Sequence, residues 1–186
     1  MEKKIKILGI AGSLRKSSFN RGLLRYAAES AGPEAEIEIF DLAPIPLYNF
    51  DIEADLPAPV KILKEKIIKA NAILLVTPEY NYSISGVLKN ALDWGSRPGK
   101  DNSWDGKPVA IMGASSGSHG TARAQYQLRQ MFVTLNMHSI NTPELMVSSA
   151  KEKFDANGNL TDEKTKERVK VLLAALIEWT KLLQRR

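Results

Sequence analysis

Apolar residues recur along the chain in two alternating rhythms. Runs that are apolar at nearly every position stand at 5–11, 72–77 and 108–114, the pattern of strands covered on both faces in the middle of a parallel sheet. Between them, apolar residues return every three or four positions, the spacing of helices with one buried face. Leu23, Leu24, Ala27, Ala28 and Ala31 form one such stripe, closed by Gly32 and Pro33. Val60, Leu63, Ile67 and Ile68 form a second, Val87, Leu88, Ala91, Leu92 and Trp94 a third, and Leu128, Met131, Phe132 and Leu135 a fourth. A last helix is predicted over about 162–183, with Val169, Leu172, Leu173, Leu176, Ile177, Thr180 and Leu183 facing inward. Thr161 is its expected N-cap, Asp162 and Glu163 sit in its positive first turn, and Lys181, Arg185 and Arg186 lie near its negative end.

Two more strands complete the pattern. Residues 36–42 mostly alternate polar and apolar, as expected at a sheet edge with one wet face, and a fifth strand is predicted within 139–147, where Pro143 implies a bulge or an edge. Strands that alternate with helices predict an α/β fold with a doubly wound five-stranded parallel sheet, order 2-1-3-4-5, and helices on both faces. In such a sheet the ligand lies beyond the carboxyl ends of strands one, three and four. The segments expected to be mobile are 42–59, which carries four prolines, 95–107 and 155–159.

Composition narrows the chemistry. A length of 186 residues, 44% of them hydrophobic, suits one domain spanning 1–186. The first residues, Met1 to Lys4, are charged, and the short apolar run behind them is neither a secretory signal nor a membrane span. A cytoplasmic location without membrane association is expected. Cysteine is absent, which excludes thiolate metal sites, thiol nucleophiles and redox-active thiol pairs, so any redox chemistry needs a bound cofactor. The net charge of +5 is dispersed among acids, which argues against a nucleic-acid partner and fits attraction of small anions.

Three loops stand where the sheet predicts a ligand. The first, 12–20, reads Gly-Ser-Leu-Arg-Lys-Ser-Ser-Phe-Asn between strand one and helix one. Free N–H groups at the helix start, hydroxyls of Ser13 and Ser17, the Asn20 amide and the Arg15 fork make it either a phosphate seat or an ordinary Ser/Asn-capped turn. It lacks the Gly-Lys-Ser/Thr ending of a P-loop and the Gly-x-Gly-x-x-Gly of a dinucleotide-binding unit. The second loop holds Pro78, Glu79, Tyr80, Asn81 and Tyr82; its flat faces and polar edges suit an aromatic heterocycle, or else its tyrosines cap the core. In the third, Ser115-Ser116-Gly117-Ser118-His119-Gly120, small residues let backbone approach a flat ligand closely. His119 and His138 are the only histidines and neither has a spaced ligand partner, so no metal site is expected; His119 reads as a solvated loop residue. Trp104 fits either a substrate lid or an exposed anchor.

These segments, GSLRKSSFN at 12–20, PEYNYSISGVLKNALDW at 78–94, and SSGSHG at 115–120 followed by TARAQYQLRQ, resemble the NADPH-dependent FMN reductase family, which includes quinone, azo-dye and chromate reductases. The resemblance spans nearly the whole chain in order and spacing. It implies a flavodoxin-like fold, bound FMN, NADPH or NADH as hydride donor, and a small-molecule electron acceptor. It also implies an FMN phosphate grip from Ser13, Arg15, Ser17 and Asn20, ring contacts from Pro78, Glu79, Tyr80 and Asn81, and contacts across the ring from Ser115 and Gly117. No side chain is assigned a catalytic role, because the flavin carries the chemistry. The family is usually dimeric or tetrameric, and Arg123, Tyr126 and Glu144 resemble interface positions of the tetrameric members. His119 departs from the small or apolar residue expected at its place. The rival reading, an electron-carrier flavodoxin with no reductase activity, fits poorly with a basic chain.

Overall fold

A computed structural model describes residues 4–185; the charged start at Met1 to Lys3 and the expected helix-end cation Arg186 lie outside the described residues. Strands β1 (Ile5–Ala11), β2 (Ala35–Phe40), β3 (Ala72–Val76) and β4 (Pro108–Ala114) run parallel, in the order β2-β1-β3-β4, and the far edge is occupied by β5 (His138–Ser139) and β6 (Leu145–Val147), which both pair with β4. The fifth strand is therefore one edge strand in two pieces. Pro108 faces His138 and Met112 faces Leu145, while 140–144 leave the sheet where Pro143 has no N–H to donate. The predicted order 2-1-3-4-5 holds.

Helices α1 (Phe19–Glu29) and α5 (Glu163–Gln184) cover one face; α2 (Ala58–Lys69), α3 (Gly86–Gly95) and α4 (Ala122–Leu135) cover the other. The side-chain period of two in a strand feeds both cores: Ile7 and Leu74 point toward α1 and α5, Leu8 and Ile73 toward α2 and α3. On α5, Val169, Leu172, Leu173 and Leu176 are all buried, each contributing about 1.5–3 kcal/mol. The N-cap of α5 is Asp162, not Thr161. The Asp162 carboxylate accepts from the Thr165 N–H at 2.8 Å and the Thr165 hydroxyl at 2.6 Å, a stronger acceptor at a positive helix end than a threonine one residue further out.

Two other expectations change. Ile68 points to solvent at 58% exposure, because α2 turns its buried stripe through Val60, Leu63, Lys64 and Ile67. Trp104 is neither lid nor exposed anchor: it is fully buried, donates from its indole nitrogen to the Leu92 carbonyl at 3.0 Å, and fits only because residue 95 has no side chain. The 95–107 segment is further stitched by buried Lys64, whose ammonium donates to the carbonyls of Arg97 at 2.6 Å, Asp101 at 2.7 Å and Gly95 at 3.3 Å. Burial pushes the Lys64 ammonium below the usual lysine range. This segment precedes β4 and so lies at the amino end of the sheet, away from the loops of interest.

Candidate flavin site

Three bends converge at the carboxyl end of β1, β3 and β4. Ser13, Arg15, Phe19, Asn20, Pro78, Glu79, Tyr80, Ser115 and Ser116 line a shared hollow of about 280 Å³. A larger hollow of about 520 Å³ lies between residues 139–142 and the last turns of α5, at the edge of the sheet beside β5, whereas the topology designates the hollow at the carboxyl ends of β1, β3 and β4.

The first bend is built to hold its shape without a ligand. Gly12 N–H donates to the Val76 carbonyl at 2.8 Å, fastening the bend to β3. Ser18 caps α1, and no acidic side chain stands in the first turn of that helix, so its positive end is unopposed. Arg15 lies over the Phe19 ring at 5.1 Å and donates to the Ser17 carbonyl at 2.9 Å, with much of its guanidinium still open to solvent. Ser13 is buried at 8% exposure beside it. Asn20 has a different part. Its amide donates to the Ala114 carbonyl at 3.0 Å and accepts from the Ala114 N–H at 2.8 Å. Both ends of the side chain thereby tie the first turn of α1 to the end of β4, and Asn20 acts as a strut between the first and third bends.

A turn from a distant part of the chain backs this bend. Gly158 has φ 77°, and a Cβ there would lie 2.8 Å from the Ser17 backbone, a close approach only glycine permits. Arg25, on α1, donates to the Gly158 carbonyl at 3.1 Å and to Asn159 Oδ1 at 2.8 Å. Asp155 organises the turn from inside, accepting from the N–H groups of Asn159 at 2.8 Å and Asn157 at 2.9 Å and from the Asn159 amide at 3.0 Å. Those donors, the Asn159 backbone N–H first, hold the Asp155 carboxyl below the usual carboxylate range.

The second bend is a tight hairpin turn. Tyr80 and Ser83 exchange both backbone hydrogen bonds, at 3.0 and 2.9 Å, and the two residues between them are left-handed, Asn81 at φ 49° and Tyr82 at φ 67°, the geometry of a type I′ turn. Asparagine adopts it readily; a tyrosine there carries strain of about 1–2 kcal/mol. Helix α4 holds it in place. Arg123 stacks its guanidinium over the Tyr82 ring at 3.8 Å, and Gln127 accepts from the Ser83 hydroxyl at 2.5 Å and donates to the Tyr82 carbonyl at 3.1 Å. Tyr80 is left 58% exposed at the lip of the hollow. Glu79 turns away from the role of a simple ring contact. One carboxylate oxygen accepts from the Arg123 and Ala124 N–H groups at 3.0 and 3.2 Å, and the other takes the Arg123 guanidinium.

The third bend leaves β4 at Ala114. Ser115 N–H donates to the Val147 carbonyl at 2.9 Å, and the Ser115 hydroxyl accepts from Gly117 N–H at 3.2 Å. Gly113 has no room for a side chain, since a Cβ there would collide with the Thr77 carbonyl and the Thr121 hydroxyl, so β4 and the entry to α4 close directly on β3. His119 is exposed, 3.1 Å from the Ser118 hydroxyl through its Nδ1. Of the ten sequence-designated positions, seven line the hollow, whereas Ser17, Asn81 and Gly117 stand on the bends outside its lining, and Asn20 belongs to the first turn of α1. The Arg25–Gly158 and Glu79–Arg123 ties escaped sequence reasoning, because their partners are 133 and 44 residues apart and no local pattern marks them. Among the described residues no three His, Cys, Asp or Glu side chains stand close enough to share a metal.

Residues 5–152 match the family described as NADPH-dependent FMN reductase. The chain is 50% identical over 185 residues to an NAD(P)H-dependent FMN reductase of Pseudomonas aeruginosa, covering 99% of this chain and 100% of that one. It is 46% identical over 187 residues to an NADPH:quinone oxidoreductase of Arabidopsis thaliana, covering 97% and 94%. Among solved structures, a flavoenzyme NAD(P)H:(acceptor) oxidoreductase from Paracoccus denitrificans superposes with a TM-score of 0.87 at 36% identity, covering 95% of this chain and 97% of that one. An archaeal flavodoxin, with a TM-score of 0.64 at 12% identity over 95% of this chain and 99% of its own, shares the fold alone.

Proposed function

The chain belongs to the NADPH-dependent FMN reductase family, and on that premise we propose that the three bends form its FMN site, with the phosphate in the bend 13–20 and the ring between 78–81 and 115–117. The protein is an FMN-dependent NAD(P)H oxidoreductase with a flavodoxin-like fold. Bound there, FMN would supply two-electron redox chemistry between a nicotinamide donor and an acceptor, in ping-pong order.

The single observation that carries the assignment is the unopposed positive start of α1 beside Arg15, in a hollow whose one lining carboxylate, Glu79, is already neutralised by Arg123. A dianionic phosphate meets donors and positive charge there and no free acid. Ser13, Ser17 and Arg15 bind the phosphate, while Asn20 fixes the helix start that faces it. Pro78 and the 79–81 segment border one edge of the ring, with the Glu79 and Asn81 N–H groups as its donors, and Ser115 and Gly117 border the other side. Those dipoles stabilise negative charge gained on reduction. Tyr80, at the lip, covers the ring from water.

The acceptor is a small oxidant of the quinone type, the substrate class named for the plant relative; azo compounds, chromate and free flavin are further small acceptors of the kind. The whole chain, 1–186, works as one reductase domain in the cytoplasm, where its nicotinamide donor is found. Among the described residues no helix is long and apolar enough to cross a membrane. The protein assembles as a homo-oligomer, dimer or tetramer, through α4, whose outer face carries Tyr126 at 51% and Val133 at 83% exposure. Glu144 stands 3.9 Å from Arg129 beside that helix, whereas Arg123 is engaged within its own chain.

The test is a visible spectrum of the purified protein, taken after adding FMN and again after adding NADPH under anaerobic conditions. A flavin band retained through gel filtration and bleached by NADPH is expected. A protein that retains no flavin, or stays yellow with both NADPH and NADH, overturns the reading.

A further inference from the structure

Glu79 joins the two walls of the slot. It leaves the bend after β3, yet its carboxylate caps the helix that ends the bend after β4. Thr121, the N-cap residue of α4, sits at φ 79° and makes no side-chain capping bond. Glu79 takes over that task from far back in the chain, accepting from the Arg123 and Ala124 N–H groups in the first turn of α4 at 3.0 and 3.2 Å. Its other oxygen holds the Arg123 guanidinium, which lies flat on Tyr82, one of the two left-handed residues of the hairpin turn. The side chain of Glu79 is only 6% exposed and that of Arg123 is 34% exposed. Loss of either partner would leave the other as an unbalanced charge in a partly desolvated wall.

We propose that Glu79 is a positioning residue that sets the separation of the two flavin-side bends, and that its ion pair with Arg123 keeps the charge beside the ring balanced, fixing the potential of the bound flavin. The proposal rests on the FMN assignment above. It parts from a purely structural role in one respect. A capping carboxylate with no electronic part would change stability and FMN affinity alone, whereas a balanced pair next to a ring that gains negative charge on reduction predicts shifts of opposite sign from its two halves.

Glu79→Gln leaves the guanidinium in excess and favours the reduced ring, raising the midpoint potential. Arg123→Gln leaves the carboxylate in excess and lowers it. A change of about tenfold in the oxidised-to-reduced ratio is expected in each direction, about 30 mV for a two-electron couple. The double variant returns toward the parent value. FMN affinity, read by fluorescence quenching on the apoprotein, falls about three- to tenfold in both single variants because each loosens one wall. Potentials that move in the same direction, or do not move, overturn the proposal. Should Glu79→Gln fail to fold, an Arg123→Gln protein whose potential is not lowered overturns it by itself. A parent that takes up no FMN overturns the function reading together with this proposal, whereas a parent that binds FMN beside variants of unchanged potential overturns this proposal alone.

Discussion

Replacing Asn20 separates architecture from ligand binding. Its side-chain amide makes two buried hydrogen bonds with the backbone of Ala114, at 3.0 and 2.8 Å. Each bond is worth about 0.5–1.5 kcal/mol net, and a buried backbone group left unmet costs about 1–3 kcal/mol. Asn20→Ala removes both bonds and strands the Ala114 N–H and C=O, with entering water offsetting part of the loss, so a destabilisation of about 2–4 kcal/mol is expected. For a chain of this size that is a fall in Tm of about 5–15 °C. Asn20→Asp keeps an acceptor for the Ala114 N–H and adds a negative charge at a helix start, so it loses less stability than the alanine variant. The same charge faces the phosphate and must weaken FMN more. Thermal unfolding of the apoprotein and FMN titration should therefore rank the two variants in opposite orders. If Asp proves the weaker FMN binder by no margin over Ala, the phosphate is not seated at the start of α1; if Asn20→Ala melts with the parent, the strut carries no weight.

Arg15→Ala should weaken FMN about tenfold, about 1.4 kcal/mol, and flatten the dependence of FMN affinity on salt; equal affinities in parent and variant would remove Arg15 from the phosphate seat. Trp104→Ala should cost about 3–5 kcal/mol, seen as a lower midpoint in urea, while leaving FMN affinity of the folded protein unchanged, since Trp104 sits at the opposite end of the sheet; a large loss of affinity would contradict that placement. Asp155 gives a pH dependence. Its carboxyl is held below the usual range by the Asn159 and Asn157 donors, so its contribution is present above the unfolded value of about 3.9 and is lost as the pH falls through the lower folded value. Hydrogen exchange at 155–159 and in the Ser17 bend should rise together in that acid range, and Asp155→Asn should abolish the step; a step that persists in the variant belongs to another group.

The elements were legible wherever local periodicity records them. Continuous apolar runs mark β1, β3 and β4 because both of their faces are covered, and the alternation before Leu42 marks β2 because one of its faces is wet. The three bends at the carboxyl ends of β1, β3 and β4 were legible for a related reason, since the ends of buried strands are where an α/β sheet exposes backbone donors. What the chain does not advertise is pairing at a distance. Asn20 looks like a phosphate donor until Ala114 is seen beside it, and Glu79 looks like a ring contact until α4 is seen to need a cap. Trp104 looks like a lid because a glycine- and proline-rich segment surrounds it; only the gap above Gly95 shows that the segment folds inward. Asp162 displaces Thr161 as the cap by a single position, a matter of which oxygen reaches the Thr165 N–H.

The divided fifth strand has one more consequence. A parallel sheet with bare rims can go on recruiting strands from other molecules until it precipitates. One rim here is guarded by Glu36 and Glu38, and the other offers only two residues in β5 and three in β6, parted by a segment that cannot complete the ladder. Both margins thus offer a poor template for edge-to-edge pairing of copies into a longer ribbon.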